Sequence, residues 1–467
     1  HHALIAIVPA LVYVLIVAAA LAAALPSLRC TRANLVRLAT IVLLIGLPPA
    51  NVYMPLLLAD THGASLLLSL LALMLLAALA SPDRTRRPLL PALAFALLTA
   101  ATVASDPYAL VFAFGPASLV IALDFLAERE SPRTLPLLAL TAAAALAGAL
   151  VPSAIARLGG FVTKSTVETG FVAPHALGGT ITAFFLGLLY ISGAYVFGKS
   201  LVSVGALACL ARLAGWAFGA AAVLRRVPAL WRAVGPATLD RFFLASIAVV
   251  APACILSRMF ATSIQDQIRL GGHGTRYLSP VIVFAAILAA RAAPSLIAAL
   301  PTSRFRLAAL ALGAVLSVGL LAGHSAETFR RLGTPPWMGS SPDEEAARWL
   351  EAHHLACGIG EYWSASIVTA LTDGRVTVRP AKAPKHLLLP LPWTADAHWF
   401  AGPDLPAFAI WREEDEPLYR FDARAVAATY GPPTRILRVA GFTIALLPGS
   451  PHPHALAIAC PQPLVSP

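Results

Sequence analysis

Three short polar turns break long apolar runs in this chain, and each carries side chains able to do chemistry. "LLLADTHGASLLL" holds Asp60 and His62, "ASDPYAL" holds Asp106 and Tyr108, and "GGHGTRYLSP" holds His273, Arg276 and Tyr277. A longer polar stretch adds Lys164, Glu168 and His175. A carboxylate can take a proton from a hydroxyl or hold a metal ion, and a guanidinium can hold a phosphate through charged, paired hydrogen bonds. This pattern nominates Asp60 and Asp106 as catalytic carboxylates, and His62, Tyr108, Lys164, Arg276 and Tyr277 as substrate-binding groups. Each also has a plainer reading. Asp60 can cap the helix that follows, and Asp106 before Pro107 is a helix-start signal. The histidines can be loop-surface residues, and Arg276-Tyr277 can anchor a span at the membrane interface.

The elements that must position these turns are membrane spans. Of 467 residues, 58% are hydrophobic and only 12% charged, too little charge to cover a soluble protein of this length. Apolar runs fall at 3–25, 38–50, 64–80, 89–104, 109–126, 135–151, 201–224, 242–261, 277–292 and 307–323. Spans need about 20 apolar residues, fewer where the bilayer thins. The net charge of +11 is concentrated in alternate connections. Residues 26–37, 81–88, 127–134, 225–241 and 291–306 are rich in Arg, whereas 51–63 and 105–108 have no Lys or Arg. Positive-inside topology explains that bias and puts the three polar turns on the outer side. Nucleic acid is not expected as a partner, because no recognition motif accompanies the charge. If the further stretch 176–198 crossed the membrane, every later connection would invert. It is therefore expected to lie at the outer interface or to be re-entrant, which leaves about ten spans and an outer C-terminus.

After residue 324 the composition turns polar. The expected order is a helix from Pro342, a strand at "LACGIG", a helix at "YWSASIVTAL", strands at "RVTVRP" and "DLPAFAIW", a helix at "FDARAVAATYG" and a hairpin turning at Gly441. The expected fold class is thus an all-α polytopic bundle over 1–324, then a small α/β domain over 325–448 and a loose tail over 449–467. Tyr362, Trp363, Trp393 and Trp399 can stack on a sugar ring or simply fill that domain's core. The five Cys show no CxxC pattern, so a metal site is not expected. Cys357 and Cys460 can pair if the domain faces an oxidising compartment. No G-x-S-x-G, P-loop, H-E-x-x-H or kinase pattern occurs.

Many spans, acidic outer turns, the span opening Arg276-Tyr277-Leu278 with Pro280, the "SDPYAL" turn and the tail's "GEYWSASIVTALTDGRVTVRP" together resemble the GT-C glycosyltransferases. These are the enzymes related to protein O-mannosyltransferases and bacterial aminoarabinose transferases. The resemblance is diffuse and covers most of the chain. It implies transfer of a hexose or pentose from a polyprenyl-phosphate carrier to a glycan, lipid or protein acceptor at the outer membrane face. A carboxylate would activate the acceptor hydroxyl, and Arg276 or Lys164 would steady the leaving phosphate. Some relatives use a divalent metal ion, and the sequence leaves that cofactor open here. In the family the principal carboxylate sits in the first outer loop, after a span that this chain lacks ahead of 3–25. Either His1-His2 ends that loop and the carboxylate lies upstream, with Asp60 a second acidic position, or the group is missing. Two other classes stay open: a non-catalytic membrane assembly or binding protein, and a lipid or solute transporter, against which the mostly apolar mid-span positions count. The Ala-rich, Arg-over-Lys composition suggests a GC-rich bacterium and hence its inner membrane, with the C-terminal domain extracytoplasmic.

Overall fold

The structure is a computed structural model that describes residues 2–27, 29–47, 62–81, 89–127, 134–158, 170–200, 202–232, 238–257, 273–299, 313, 317–323, 342–383, 386–391, 397–412, 421–450 and 452–460. The chain divides into two compact units. One contains residues 3–153 and 168–333, the other residues 334–467 with the stretch 154–167.

The first unit is helical: α1 His2–Ala24, α2 Arg32–Ile41, α3 Gly63–Ala80, α4 Leu89–Ser105, α5 Gly115–Ala127, α6 Thr134–Arg157, α7 Leu177–Ile191, α8 Val204–Arg232, α9 Thr238–Leu256 and α10 Ser279–Ala298. Among the described residues, seven helical segments are long and apolar enough to cross a membrane, and Val8–Ala24 and Leu89–Ser105 are shorter apolar helices. These helices are compatible with a multi-pass membrane protein. The figure of about ten spans is not established, since most of the run 307–323 lies outside the described residues. Two helices carry π-helical turns: Val42–Gly46 continues α2, and Leu110–Phe114 leads into α5. The centre of the bundle is α10, buried almost throughout from Ser279 to Ala293 and packed on α2, α8 and α9. The core around it includes Phe112, Phe243 and Phe284, with Phe243 and Phe284 stacked at 4.8 Å.

The expected interfacial segment 176–198 forms α7, with an apolar length of 18 residues from Pro174 that would suffice to span. Its surroundings are those of a helix at one end of the bundle. The chain enters with the Val172 N–H donating to Leu256 O at 2.8 Å, beside the C-terminus of α9. Fifteen residues on, Gly187 lies against Thr275 and Leu278, at the start of α10. The end of α9 and the start of α10 are the same end of the bundle, because Asp240 at the start of α9 pairs with Arg291 near the end of α10.

The second unit is a six-stranded sheet. Its strands are β1 Cys357–Gly360, β2 Thr377–Lys382, β3 Leu389–Pro390, β4 Phe408–Arg412, β5 Arg435–Val439 and β6 Phe442–Leu446, in the order β3-β2-β1-β4-β6-β5. β1 is parallel to β2 and β4, and the outer pairs are antiparallel. Three helices flank it: α11 Pro342–Ala352, α12 Tyr362–Leu371 and α13 Ala423–Tyr430. Alternation along β4 feeds two cores, Phe408 and Ile410 packing with α11 and α12, Ala409 and Trp411 with α13. Glu361 caps α12, accepting from Trp363 N at 2.7 Å and Ser364 N at 2.6 Å, and Asp422 caps α13 through Ala425 N at 2.7 Å. Gly431 (φ 83°) ends α13, and Gly441 (φ 84°) turns the final hairpin. Tyr362 is buried and Trp399 lies under the Arg379 guanidinium at 4.4 Å; Trp393 is outside the described residues.

The stretch expected to be loose, 449–467, is tied down where it is described. Cys460 forms a disulfide with Cys357, with Cα atoms 5.8 Å apart. Arg379 donates twice to Ala459 O, and Asp404 and Ile458 form a bridge.

Candidate functional site

The turns that open α3 and α10 and the turn that closes α4 meet at one end of the bundle. α3 and α4 pack together, and the contact between His62 and Asp106 puts the residue before α3 level with the turn after α4. His62 occupies the N-cap position of α3 but makes no side-chain capping bond there. Its imidazole turns instead to Asp106, with Nδ1 at 2.5 Å from Oδ2. The other carboxylate oxygen, Oδ1, accepts the Tyr108 backbone N–H at 3.1 Å. Asp106 therefore uses its two oxygens differently. One oxygen shapes the turn and the other holds an imidazole. Side-chain exposure is 17% for His62 and 10% for Asp106, enough burial to strengthen the pair and enough opening for a proton to reach the ring.

Tyr108 and Tyr277 pack together against the imidazole. Their rings lie 5.4 Å and 4.7 Å from that of His62, and 5.2 Å from each other in an edge-to-face arrangement. The Tyr108 hydroxyl donates to the Tyr277 carbonyl at 2.8 Å, which joins α5's leading turn to the start of α10. Tyr108 lies two residues short of the apolar helix that starts at Leu110. Burial, and then the nearby Cys254 thiol, hold its hydroxyl well above the usual phenol range. It acts here as a neutral donor. Arg276 lies over the Tyr277 ring at 5.2 Å and reaches its hydroxyl at 3.4 Å. The Arg276 Nε is buried and has no hydrogen-bond partner among the described residues.

This geometry defines what the site can do. With the Nδ1 proton donated to Asp106, the imidazole presents Nε2 as a proton acceptor whose orientation is set by the carboxylate. Arg276, over the Tyr277 ring that packs on the imidazole, supplies a cation. A base and a cation that both pack on Tyr277 suit acyl, glycosyl or phosphoryl transfer to a hydroxyl.

Of the sequence candidates, Asp106, His62, Tyr108, Arg276 and Tyr277 come together. Asp60 and Lys164, and Glu168 with them, lie outside the described residues. His175 is exposed at the start of α7 and away from this cluster's hydrogen bonds. Among the described residues no three His, Cys, Asp or Glu side chains gather as a metal site would require. Sequence reading passed over Arg212. It is 2% exposed inside α8 and donates to the Leu47 carbonyl, with Nε and Nη1 unpartnered. The signal was present, as a single charge within an apolar run.

No protein-family model matches this chain, and no curated protein matches it either.

Proposed function

We propose that the chain is an integral membrane glycosyltransferase that moves a hexose or pentose from a polyprenyl-phosphate carrier to an acceptor at the outer face of the membrane. The observation that carries this reading is the half-sheltered His62–Asp106 pair beside Arg276, at one mouth of an apolar bundle. In the proposed step, His62 Nε2 takes the acceptor hydroxyl proton while Asp106 stabilises the imidazolium that forms. The acceptor oxygen bonds to the anomeric carbon, the bond from that carbon to the phosphate oxygen breaks, and polyprenyl phosphate leaves. Arg276 balances the charge that develops on the leaving phosphate.

Topology supports placing this mouth outside. Arg37, Arg226, Arg241 and Arg291 lie toward the opposite ends of their helices, as the positive-inside rule asks. In this reading α7 lies along the outer interface, and about ten helices cross an inner membrane of bacterial type. The Cys357–Cys460 disulfide supports an oxidising, extracytoplasmic setting for the α/β unit.

The test is made in membranes that contain the full chain and a radiolabelled polyprenyl-phosphate sugar. The label should leave the lipid fraction with the native protein and stay there with H62A, D106N or R276A. Transfer that is unchanged by all three would end the proposal. Carrier binding without transfer by the native protein would favour the assembly or binding class instead.

A further inference from the structure

The opposite end of the bundle carries charge that its neighbours do not balance. Asp240 and Arg291 form one ion pair, with side chains 5% and 26% exposed. Arg291 also donates to Ala23 O at 2.7 Å, which locks it to the end of α1. Arg226 on α8 donates to the Arg291 carbonyl at 3.0 Å, and Arg37 on α2 to Asn34 Oδ1 at 2.8 Å. Both of these partners are neutral. The Arg37 Nε is buried without a partner among the described residues. Arg37 precedes the apolar run that begins at Leu38; burial, then the positive charges of Arg291 and Arg226, lower its pKa, and Asp240 alone opposes them. A second carboxylate at this end, Asp124, is fully used by Arg241 in a two-bond pair at 2.9 Å and 2.5 Å.

Leu44, beyond the end of α2, lies against Gly215 and Gly219 of α8, so among the described residues the guanidiniums of α2, α8 and α10 share this end of the bundle, where one carboxylate, Asp240, pairs with Arg291. Arg291 is held by structure, but Arg37 and Arg226 each spend a single N–H on a neutral oxygen. Guanidiniums with unused planar N–H groups at a membrane boundary match phosphate oxygens in shape and charge. Basic pockets between helices on the cytoplasmic side bind lipid phosphates for that reason.

We infer that Arg37 and Arg226 form a phosphate-binding site for the headgroup of an anionic phospholipid in the leaflet opposite the His62–Asp106 end. The site is separate from the proposed transfer chemistry and does not depend on it. Its role is to complete the charge balance where α1, α2, α8, α9 and α10 meet, so that the bundle is more stable with an acidic lipid in place.

The experiment uses the purified full chain in lipid nanodiscs, once in phosphatidylcholine and once with phosphatidylglycerol added, and follows the thermal unfolding midpoint and the lipid retained in native mass spectra. R37Q/R226Q removes the two guanidiniums. R32Q/R225Q removes two exposed ones from the same helices and serves as the charge control. Phosphatidylglycerol should raise the midpoint of the native chain and of the control. Its affinity for R37Q/R226Q should fall about 25-fold, on a scale of about fivefold per guanidinium. If R37Q/R226Q fails to fold, R37K/R226K keeps the charges but loses the planar fork, and an intermediate response supports the site. Equal responses of the double variant and the control would leave only diffuse surface attraction and overturn the proposal. Inorganic phosphate in phosphatidylcholine discs is the last arm. If it gives the full shift, the ligand is a soluble anion and the lipid assignment is overturned.

Discussion

Replacing Asp106 with Asn tests the proposed base directly, because the structure shows why an isostere cannot serve. Asp106 accepts from two donors, His62 Nδ1 at 2.5 Å and Tyr108 N at 3.1 Å, one on each oxygen. Asn has one acceptor oxygen and an NH2 group in place of the second. If the amide oxygen stays with His62, the NH2 faces the Tyr108 N–H and the turn is pushed open. If the oxygen turns to Tyr108, the NH2 faces Nδ1, which must give up its proton, and Nε2 then carries one and cannot act as a base. Either way one charge-assisted hydrogen bond is lost, a cost of about 1.5–3 kcal/mol. Expressed in the transfer step, that is about a 10- to 150-fold loss of rate. Selection of the wrong tautomer would carry it towards about 10⁴-fold. Initial rates of label transfer in vesicles measure the loss, with the thermal midpoint read in parallel. D106N that keeps transfer within about threefold of the native rate, under 1 kcal/mol, would refute the reasoning. So would a lowered midpoint with an unchanged rate, which would leave Asp106 only its part in the turn.

Arg276→Ala should raise the carrier concentration needed for half-maximal transfer by about tenfold or more, and Arg276→Lys should recover part of it; equal values for all three forms would remove Arg276 from phosphate binding. Cys357 and Cys460, 103 residues apart in sequence, should resist a maleimide in the native protein until a reductant is added, and C357S/C460S should cost about 3–5 kcal/mol of the α/β unit's stability. Labelling without reductant would show that the bridge does not form. Burial raises the Tyr430 pKa above the ordinary 10.0, and its hydroxyl donates to Leu456 O at 3.0 Å. A raised acid pKa makes the unfolded chain release its proton first, so this contribution is complete below pH 10 and is lost as pH climbs beyond it, by up to about 1.4 kcal/mol per pH unit. Y430F should flatten the alkaline arm of the stability profile, and an unchanged slope would count against it.

The α/β unit was readable almost element by element, since its signals are local. Pro342 and the acids after it open a helix, "YWSASIVTAL" is α12 from end to end, and Gly441 sits at the hairpin turn. What local signals could not supply was pairing. β3 has two residues, too few for a pattern, and exists because Ala381 and Lys382 of β2 offer it partners. The hold on 452–460 depends on Arg379, Asp404 and Cys357, all far away in the chain. The site behaved in the same way. Residue types and their place at the ends of apolar runs pointed to His62, Asp106, Tyr108, Arg276 and Tyr277 one by one. Sequence reasoning put His62 with the substrate and Asp106 with the catalysis, whereas the structure makes them a single hydrogen-bonded unit across 44 residues. That union depends on how α3 and α4 pack, and apolar periodicity in a bundle that is hydrophobic all round carries little information about facing sides.

The π-helical turn Leu110–Phe114 begins two residues after Tyr108. A π turn is one residue wider than an α turn, so it works as a phase adjuster between the site and the rest of α5. Deleting one residue from it would restore an ordinary helix. Everything before it would then turn by about 100° about the helix axis and shift by about 1.5 Å along it. Phe114, Ala117 and Ile121 could keep their buried face, while Asp106 would be carried out of reach of His62. The reverse also follows: the same single inserted residue lets a packed hydrophobic helix and a polar turn each keep the orientation they need, although the two do not share one helical repeat.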